Sequence, residues 1–260
     1  EVALLTNVSL DHCDLLGNTV EEIAVHKAGI IKEGSALFST ETKPEVQRVF
    51  DEAATRACTA IQYIEPTQQY ETALQGEHQQ WNAALAAAAA RHLNIAEKKI
   101  EAGIKQTRLP ARIEQLQEKP RVILDGAHST AKIKALVRAL KQFRPWNKLH
   151  LVFAAKETKE PEALIRPLAA TADTVTCTEF HLIEFGSYPA TETAALFRQL
   201  KPGIDVHIEQ DPRAAIDRIL ADASPDDLVL ITGSLYLAGP VRERWITQQD
   251  ILKARSVFPS

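Results

Sequence analysis

At 260 residues the chain is long enough for two domains of ordinary size, each able to bury its own core. Apolar residues at 45% and charged residues at 25% are ordinary globular values. With 30 basic against 34 acidic side chains, net −4, no nucleic-acid partner is expected. Cys13, Cys58 and Cys177 are widely spaced, odd in number and without a CxxC, the pattern of reduced thiols in a cytoplasmic protein. No apolar run reaches membrane-spanning length and the start lacks a signal-peptide layout, so no membrane partner is expected either. The chain has no methionine, and Glu1-Val2-Ala3 leads straight into a buried-type strand. The expectation is a portion of a longer protein.

The first element is the apolar run ALLTNVSL (3–10), read as a buried strand with Asp11-His12 at its carboxyl end. That end is where ligands bind in open α/β sheets. After the turn Leu16-Gly17-Asn18, Thr19 with Glu22 three residues on fits a capping box. The helix it opens carries Ile23, Ala24, Ala28 and Ile31 at helical spacing, with His26 and Lys27 between them. A strand is predicted at 36–40, a helix at 44–58 with Pro44 at its favoured first position, and a strand at 60–64. The polar stretch 65–77 reads as loop or edge strand. The alanine-rich segment 76–95 is a helix on propensity alone, and a second helix, 96–107, stops at Leu109-Pro110.

The charged, proline-ended segment ARIEQLQEKP (111–120) reads as a linker, which puts the expected boundary near 115: one domain at 1–114, another at 115–260. Beyond it the pattern alternates: strand RVILDGA, helix 129–142, strand LHLVFAA, helix 160–170, strand DTVTCTEF, helix 191–200, strand DVHIEQ, helix 212–222, strand DLVLITGS. Strands alternating with helices of ten or more residues predict an α/β, Rossmann-like domain with a mostly parallel sheet. The GxGxxG fingerprint is missing after its first strand, and no GxxxxGK[ST] phosphate loop occurs in the 260 residues.

Several polar residues fall where chemistry is expected, each with a plainer reading beside it. His12, at a strand end, is a structural histidine or a cation ligand. Lys27 complements a helix C-terminus or is a modified or desolvated amine in a site. Gln80 and Asn82 cap the alanine-rich helix or bond a base edge. Arg112 and Glu114 are solvated linker charges, or Arg112 clamps a phosphate. Asp125-Gly126-Ala127-His128 lies at the carboxyl end of a strand: Gly126 permits close backbone approach, and Asp125 caps the next helix or acts in the site. Lys156 and Gly233-Ser234 occupy comparable edge positions, and a helix can follow the latter.

Taken together, LTNVSLDHCDLLGNTVEEIAVHKAGIIK, GEHQQWNAALAAAA, LPARIEQL, VILDGAHS and LVLITGSLYLAG resemble the Mur ligase superfamily, most closely its folylpolyglutamate synthase/dihydrofolate synthase branch. The segments run in family order along nearly the whole chain. The resemblance implies part of a central ATPase domain followed by a Rossmann-like C-terminal domain. It implies His12 as a ligand to a second magnesium ion, Lys27 as a carbamylated lysine serving that metal site, and Asn82 near the adenine. Arg112 would reach the ATP phosphates, and Asp125 and His128 would close over the ribose, phosphates and an acyl-phosphate intermediate. Lys27, Arg112 and His128 are then the catalytic candidates, with ATP and Mg2+ as cofactors. The implied reaction adds L-glutamate to a folate or dihydropteroate, by a monomer acting on small molecules. Other acceptors, a UDP-muramoyl peptide or a cyanophycin-like polymer, and a non-catalytic remnant or binding module are the alternatives. Three departures stand out. The family's phosphate loop and metal-sharing glutamate, which precede SLDH, are absent, so this portion alone is expected to be inactive. Ser129-Thr130 replaces the usual Asn-Pro, and His26 stands where an acidic residue is common.

Overall fold

The computed structural model describes residues 1–10, 13–157, 161–183 and 186–255. It divides into two compact units, Glu1–Arg108 and Leu109–Ser260.

In the first unit, β1 (Val2–Leu5) is followed by the short α1 (Cys13–Leu16), α2 (Val20–Ala28), β2 (Ala36–Ser39), α3 (Pro44–Arg56), β3 (Ile61–Tyr63), α4 (His78–His92) and α5 (Glu97–Gln106). The strands form a parallel sheet in the order β1-β2-β3. Period-two alternation turns Leu5 and Ile61 toward a core shared with Ile23 and Ala24 of α2 and Val46, Val49 and Phe50 of α3. Phe38 points the other way and meets His92 of α4 edge-on at 5.8 Å. Strand β1 is shorter than the apolar run predicts. Beyond Leu5, Val8 is buried but its backbone bonds to side chains, not to a neighbouring strand. The predicted capping box is present: Glu22 N–H donates to Thr19 Oγ1 at 3.2 Å, and Thr19 N–H donates to Glu22 Oε2 at 3.3 Å.

The second unit holds β4 (Glu114–Glu118), β5 (Arg121–Leu124), α6 (Thr130–Leu140), β6 (Leu149–Phe153), α7 (Pro161–Thr171), β7 (Thr174–Cys177), α8 (Ala190–Leu200), β8 (Asp205–Ile208), α9 (Pro212–Asp222), β9 (Leu228–Thr232), α10 (Leu235–Arg242) and α11 (Gln248–Arg255). Its sheet runs β4-β5-β9-β6-β7-β8, parallel except for β4, which pairs antiparallel with β5. Alternate residues feed two cores. Ile123, Leu151 and Leu230 face α6, α7 and α8, while Val122, Val152 and Val229 face α9 and α10. Burial on both faces is why these strands read as continuous apolar runs.

One expectation fails here. The segment 111–120 is no solvated linker. Residues 114–118 form the antiparallel edge strand of the second unit, and the division between units falls after Arg108. The pattern EQLQE conceals it because only one face of an edge strand is covered.

Candidate functional site

The carboxyl edge of the six-stranded sheet gathers the candidates of the second unit. Strand β5 delivers Asp125-Gly126-Ala127-His128, and β9 delivers Gly233-Ser234 beside it. Because β4 runs antiparallel, its first residue, Glu114, lies opposite Leu124, so Arg112 enters the same edge.

Asp125 is 6% exposed and uses both carboxylate oxygens on backbone. Oδ1 accepts from Ala127 N–H and Oδ2 from Ile113 N–H, each at 2.8 Å. The N-cap position of α6 is Ser129, itself without a side-chain cap bond. The carboxylate holds the Ala111–Ile113 turn in place. Gly126 also differs from expectation. A Cβ there would lie 2.2 Å from Leu235 Cδ2, 2.7 Å from its Cγ and 3.3 Å from Arg112 Nη1, so the missing side chain makes room for α10 and for the guanidinium.

His128 is half-buried. Its Nδ1 lies 2.8 Å from Gly126 O and its Nε2 3.0 Å from Lys132 Nζ. A carbonyl only accepts and an ammonium only donates, so these partners assign the proton to Nδ1 and the lone pair to Nε2. Lys132, on the first turns of α6, brings a positive charge to the edge that the motif by itself does not announce.

Arg112 is half-buried and donates to Ala111 O at 3.4 Å. It is flanked by two non-glycine residues at positive φ, Ala111 at 53° and Ile113 at 47°. A left-handed conformation costs about 1–2 kcal/mol for an L-residue, and it is especially unusual for a β-branched one. Glu114 is not a solvated charge either. It receives Ala111 N–H at 2.9 Å and a forked pair of bonds from Arg242, with Nη2 at 2.7 Å from Oε1. Nothing local in the sequence announces Arg242.

Gly233, at φ +113°, turns the chain where a Cβ would lie 2.4 Å from Ala154 O. Ser234 then caps α10 by accepting Tyr236 N–H at 3.1 Å. Lys156 is exposed and forms an isolated antiparallel bridge with Ser187.

In the first unit the candidates are more dispersed. His12 lies outside the described residues. Lys27 is exposed in the last turn of α2, where its charge complements the helix C-terminus. Asn82 is exposed near the start of α4, on the opposite sheet face, with Nδ2 donating to Gln79 Oε1 at 3.0 Å. Gln80 is spent on structure: its amide both accepts from and donates to the backbone of Tyr70, at 2.8 and 3.1 Å. A residue that sequence reading passed over is Glu41, just beyond β2 and 2% exposed. It accepts Val8 N–H at 2.5 Å, Thr42 N–H at 2.8 Å and Lys43 N–H at 3.0 Å, while Lys43 Nζ donates to Val8 O at 2.6 Å. A carboxylate directly after a predicted parallel strand was the available signal.

This edge, with its DGAH turn and flanking arginine, coincides with a recognised domain. Residues 111–235 match the Mur ligase, glutamate ligase domain. The chain is 32% identical over 276 residues to the dihydrofolate synthase/folylpolyglutamate synthase of Bacillus subtilis (strain 168), covering 94% of this chain and 62% of that protein. Its fold is that of E. coli FolC, solved in complex with DHPP and ADP (TM-score 0.78, 23% identity, 98% of this chain and 62% of that one). It is also that of the bifunctional folylpolyglutamate synthase/dihydrofolate synthase from Yersinia pestis complexed with AMPPNP and Mn ion (TM-score 0.77, 21% identity, 94% and 61%). The chain thus spans about three-fifths of these relatives. Residues 111–235 thus carry a Mur ligase domain, and the chain as a whole fits the folylpolyglutamate synthase/dihydrofolate synthase branch of that family.

Proposed function

We propose that this chain serves an ATP-dependent amide ligase that joins L-glutamate to a folate or dihydropteroate. The observation that carries the reading is the convergence of Arg112, Asp125 and His128 on one sheet edge, inside a stretch that matches a glutamate ligase domain. In this reading the first unit is the later part of a central ATP-binding domain and the second is the C-terminal Rossmann-like domain. The substrates are small molecules, and the protein works as a cytoplasmic monomer.

The chemistry proposed is a carboxylate attacking the γ-phosphate of ATP to give an acyl phosphate, which the glutamate amine then attacks with release of phosphate. The γ-phosphoryl group carries spread negative charge in its transition state, so positioned cations are the main contribution a protein can make. Arg112 suits that role because its planar fork matches a phosphate and stays charged. Lys132 adds a second positive charge beside His128. The His128 ring is held between the Gly126 carbonyl at Nδ1 and the Lys132 ammonium at Nε2, which fixes its orientation at the edge. Asp125 contributes by holding the turn that carries Arg112.

Magnesium is the divalent ion this reading expects, as AMPPNP and Mn ion accompany the Yersinia relative. Among the described residues no group of three or more His, Cys, Asp or Glu side chains gathers that could hold a metal. An ammonium has no lone pair to offer, so Lys27 would serve a cation only as its carbamate. No step is therefore assigned to the metal.

The test is glutamate-dependent ADP release by the complete gene product with magnesium, offered dihydropteroate, tetrahydrofolate or a UDP-muramoyl peptide. Turnover on a pterin, lost by at least about a hundredfold in Arg112→Met, is the expected result. Turnover on the muramoyl peptide alone refutes the acceptor, and silence on all three refutes the ligase.

A further inference from the structure

We infer that Arg242 is a positioning residue for Arg112, acting through Glu114 to lock the strained turn from which that guanidinium projects. The inference rests on the reading of Arg112 as the arginine that meets nucleotide phosphates.

The turn does not hold itself. Ala111 and Ile113 both sit at positive φ, 53° and 47°, where glycine would rest without cost and neither of these residues does. Such a conformation persists only when the surroundings over-determine it. Two carboxylates supply that restraint. Asp125 takes the Ile113 N–H at 2.8 Å and Glu114 takes the Ala111 N–H at 2.9 Å, while Gly126 N–H returns to Ala111 O at 2.9 Å.

The two carboxylates differ in what orients them. Asp125 is steadied by its own neighbour, Ala127 N–H, at 2.8 Å. Glu114 is steadied from 128 residues away, by Arg242 at the last position of α10. Arg242 Nε lies 3.0 and 2.9 Å from the two carboxylate oxygens, and Nη2 lies 2.7 Å from Oε1. The side chains are only 15% and 17% exposed, so salt screens the pair weakly. A planar fork fixes the plane of the carboxylate, which a lysine's point charge cannot do. The route is continuous: Arg242 orients Glu114, Glu114 holds the Ala111 amide, and that amide begins the turn whose middle residue is Arg112.

The test uses the complete gene product carrying Arg242→Met, Arg242→Lys, Arg112→Met or both methionines together. Two readouts are taken: ADP affinity by calorimetry, and hydrogen exchange of the peptide spanning 109–115. Arg242→Met is expected to weaken ADP binding about tenfold, with Arg242→Lys between it and the unsubstituted protein. The double variant is expected to bind no more weakly than Arg112→Met alone, because both changes remove one contribution. Exchange at 109–115 should speed up in both Arg242 variants while the β5 and β9 amides stay protected. Additive losses in the double variant, or unchanged exchange at 109–115, overturn the inference. Absent ADP binding by the unsubstituted protein, with exchange still responding to Arg242→Met, overturns the phosphate reading of Arg112 and leaves the restraint itself demonstrated.

Discussion

Asp227 offers the sharpest stability test, at the amino end of the large sheet and away from the candidate site. Its carboxylate, with a side chain 5% exposed, accepts Lys148 N–H at 3.0 Å, Ser224 N–H at 2.8 Å and the His150 Nε2 proton at 3.2 Å. His150 is oriented in turn by Thr174 Oγ1, 2.8 Å from its Nδ1. Burial alone would raise the carboxyl's pKa, but the bonds from Ser224, His150 and Lys148 together outweigh it and hold it below the ordinary 3.8. Asp227→Ala leaves three donors without their acceptor. At roughly 1 kcal/mol each the loss is about 3 kcal/mol. For a unit of about 150 residues that lowers the melting point by roughly 6–12 °C. The pH dependence has a defined sign. A depressed folded-state carboxyl contributes fully above its unfolded value of 3.8 and loses the contribution as pH falls through the lower folded value. The stability gap between the protein and Asp227→Ala, measured by urea unfolding between pH 6 and about 3, should be constant at first and then narrow below about 4. A gap that stays flat to the acid end, or a melting point within about 2 °C of the parent at neutral pH, would refute the reasoning.

Gly233→Ala combines a left-handed backbone with a Cβ 2.4 Å from Ala154 O, whereas Gly203→Ala meets a comparable φ of +85° with nothing within 4 Å. The first should cost about 3 kcal/mol or more in thermal unfolding and the second about 1 kcal/mol; equal losses would show that the contact carries no weight. Thr232, 1% exposed, has a hydroxyl without a hydrogen-bond partner, so Thr232→Val should leave stability unchanged or raise it by up to about 1 kcal/mol. A clear loss of melting temperature would mean that the hydroxyl is satisfied after all.

How much of this was readable depended on whether the physics was local. The strands RVIL and LVLIT announce themselves because burial on both faces makes them unbroken apolar runs. The capping box at Thr19 and Glu22 is readable because its two bonds close within three residues. The edge strand 114–118 is hidden, since one covered face leaves EQLQE looking like a linker. At the site, DGAH stood out because parallel sheets offer ligands their carboxyl ends. The work of its members did not. Asp125 looks like a helix cap by position, yet it spends both oxygens on Ile113 and Ala127. The Glu114–Arg242 pair spans 128 residues, beyond any periodicity. Glu41 is legible only once Val8 is known to lie beside it.

The two ends of the six-stranded sheet illustrate a division of labour that composition alone cannot express. At the amino end, Asp227 and His150 tie β6, β7 and the approach to β9 together through side chains, with Asp227 also accepting the Lys148 and Ser224 backbone amides. At the carboxyl end the same kind of chemistry is turned to a different purpose. Asp125 and Glu114 also satisfy backbone amides, but the amides belong to residues in costly conformations. A carboxylate that relaxes the backbone stabilises the fold outright, whereas one that restrains a strained turn offsets a cost already present. The first kind of residue should therefore tolerate no loss of its acceptor without a large fall in melting temperature. The second should show a smaller fall, because releasing the turn returns part of the strain, and a larger effect on whatever Arg112 touches. Comparing Asp227→Ala with Glu114→Gln in one protein separates the two cases: similar stability losses and an unaltered ligand affinity in Glu114→Gln would mean that the turn at 111–113 is ordinary structure and not a preset site.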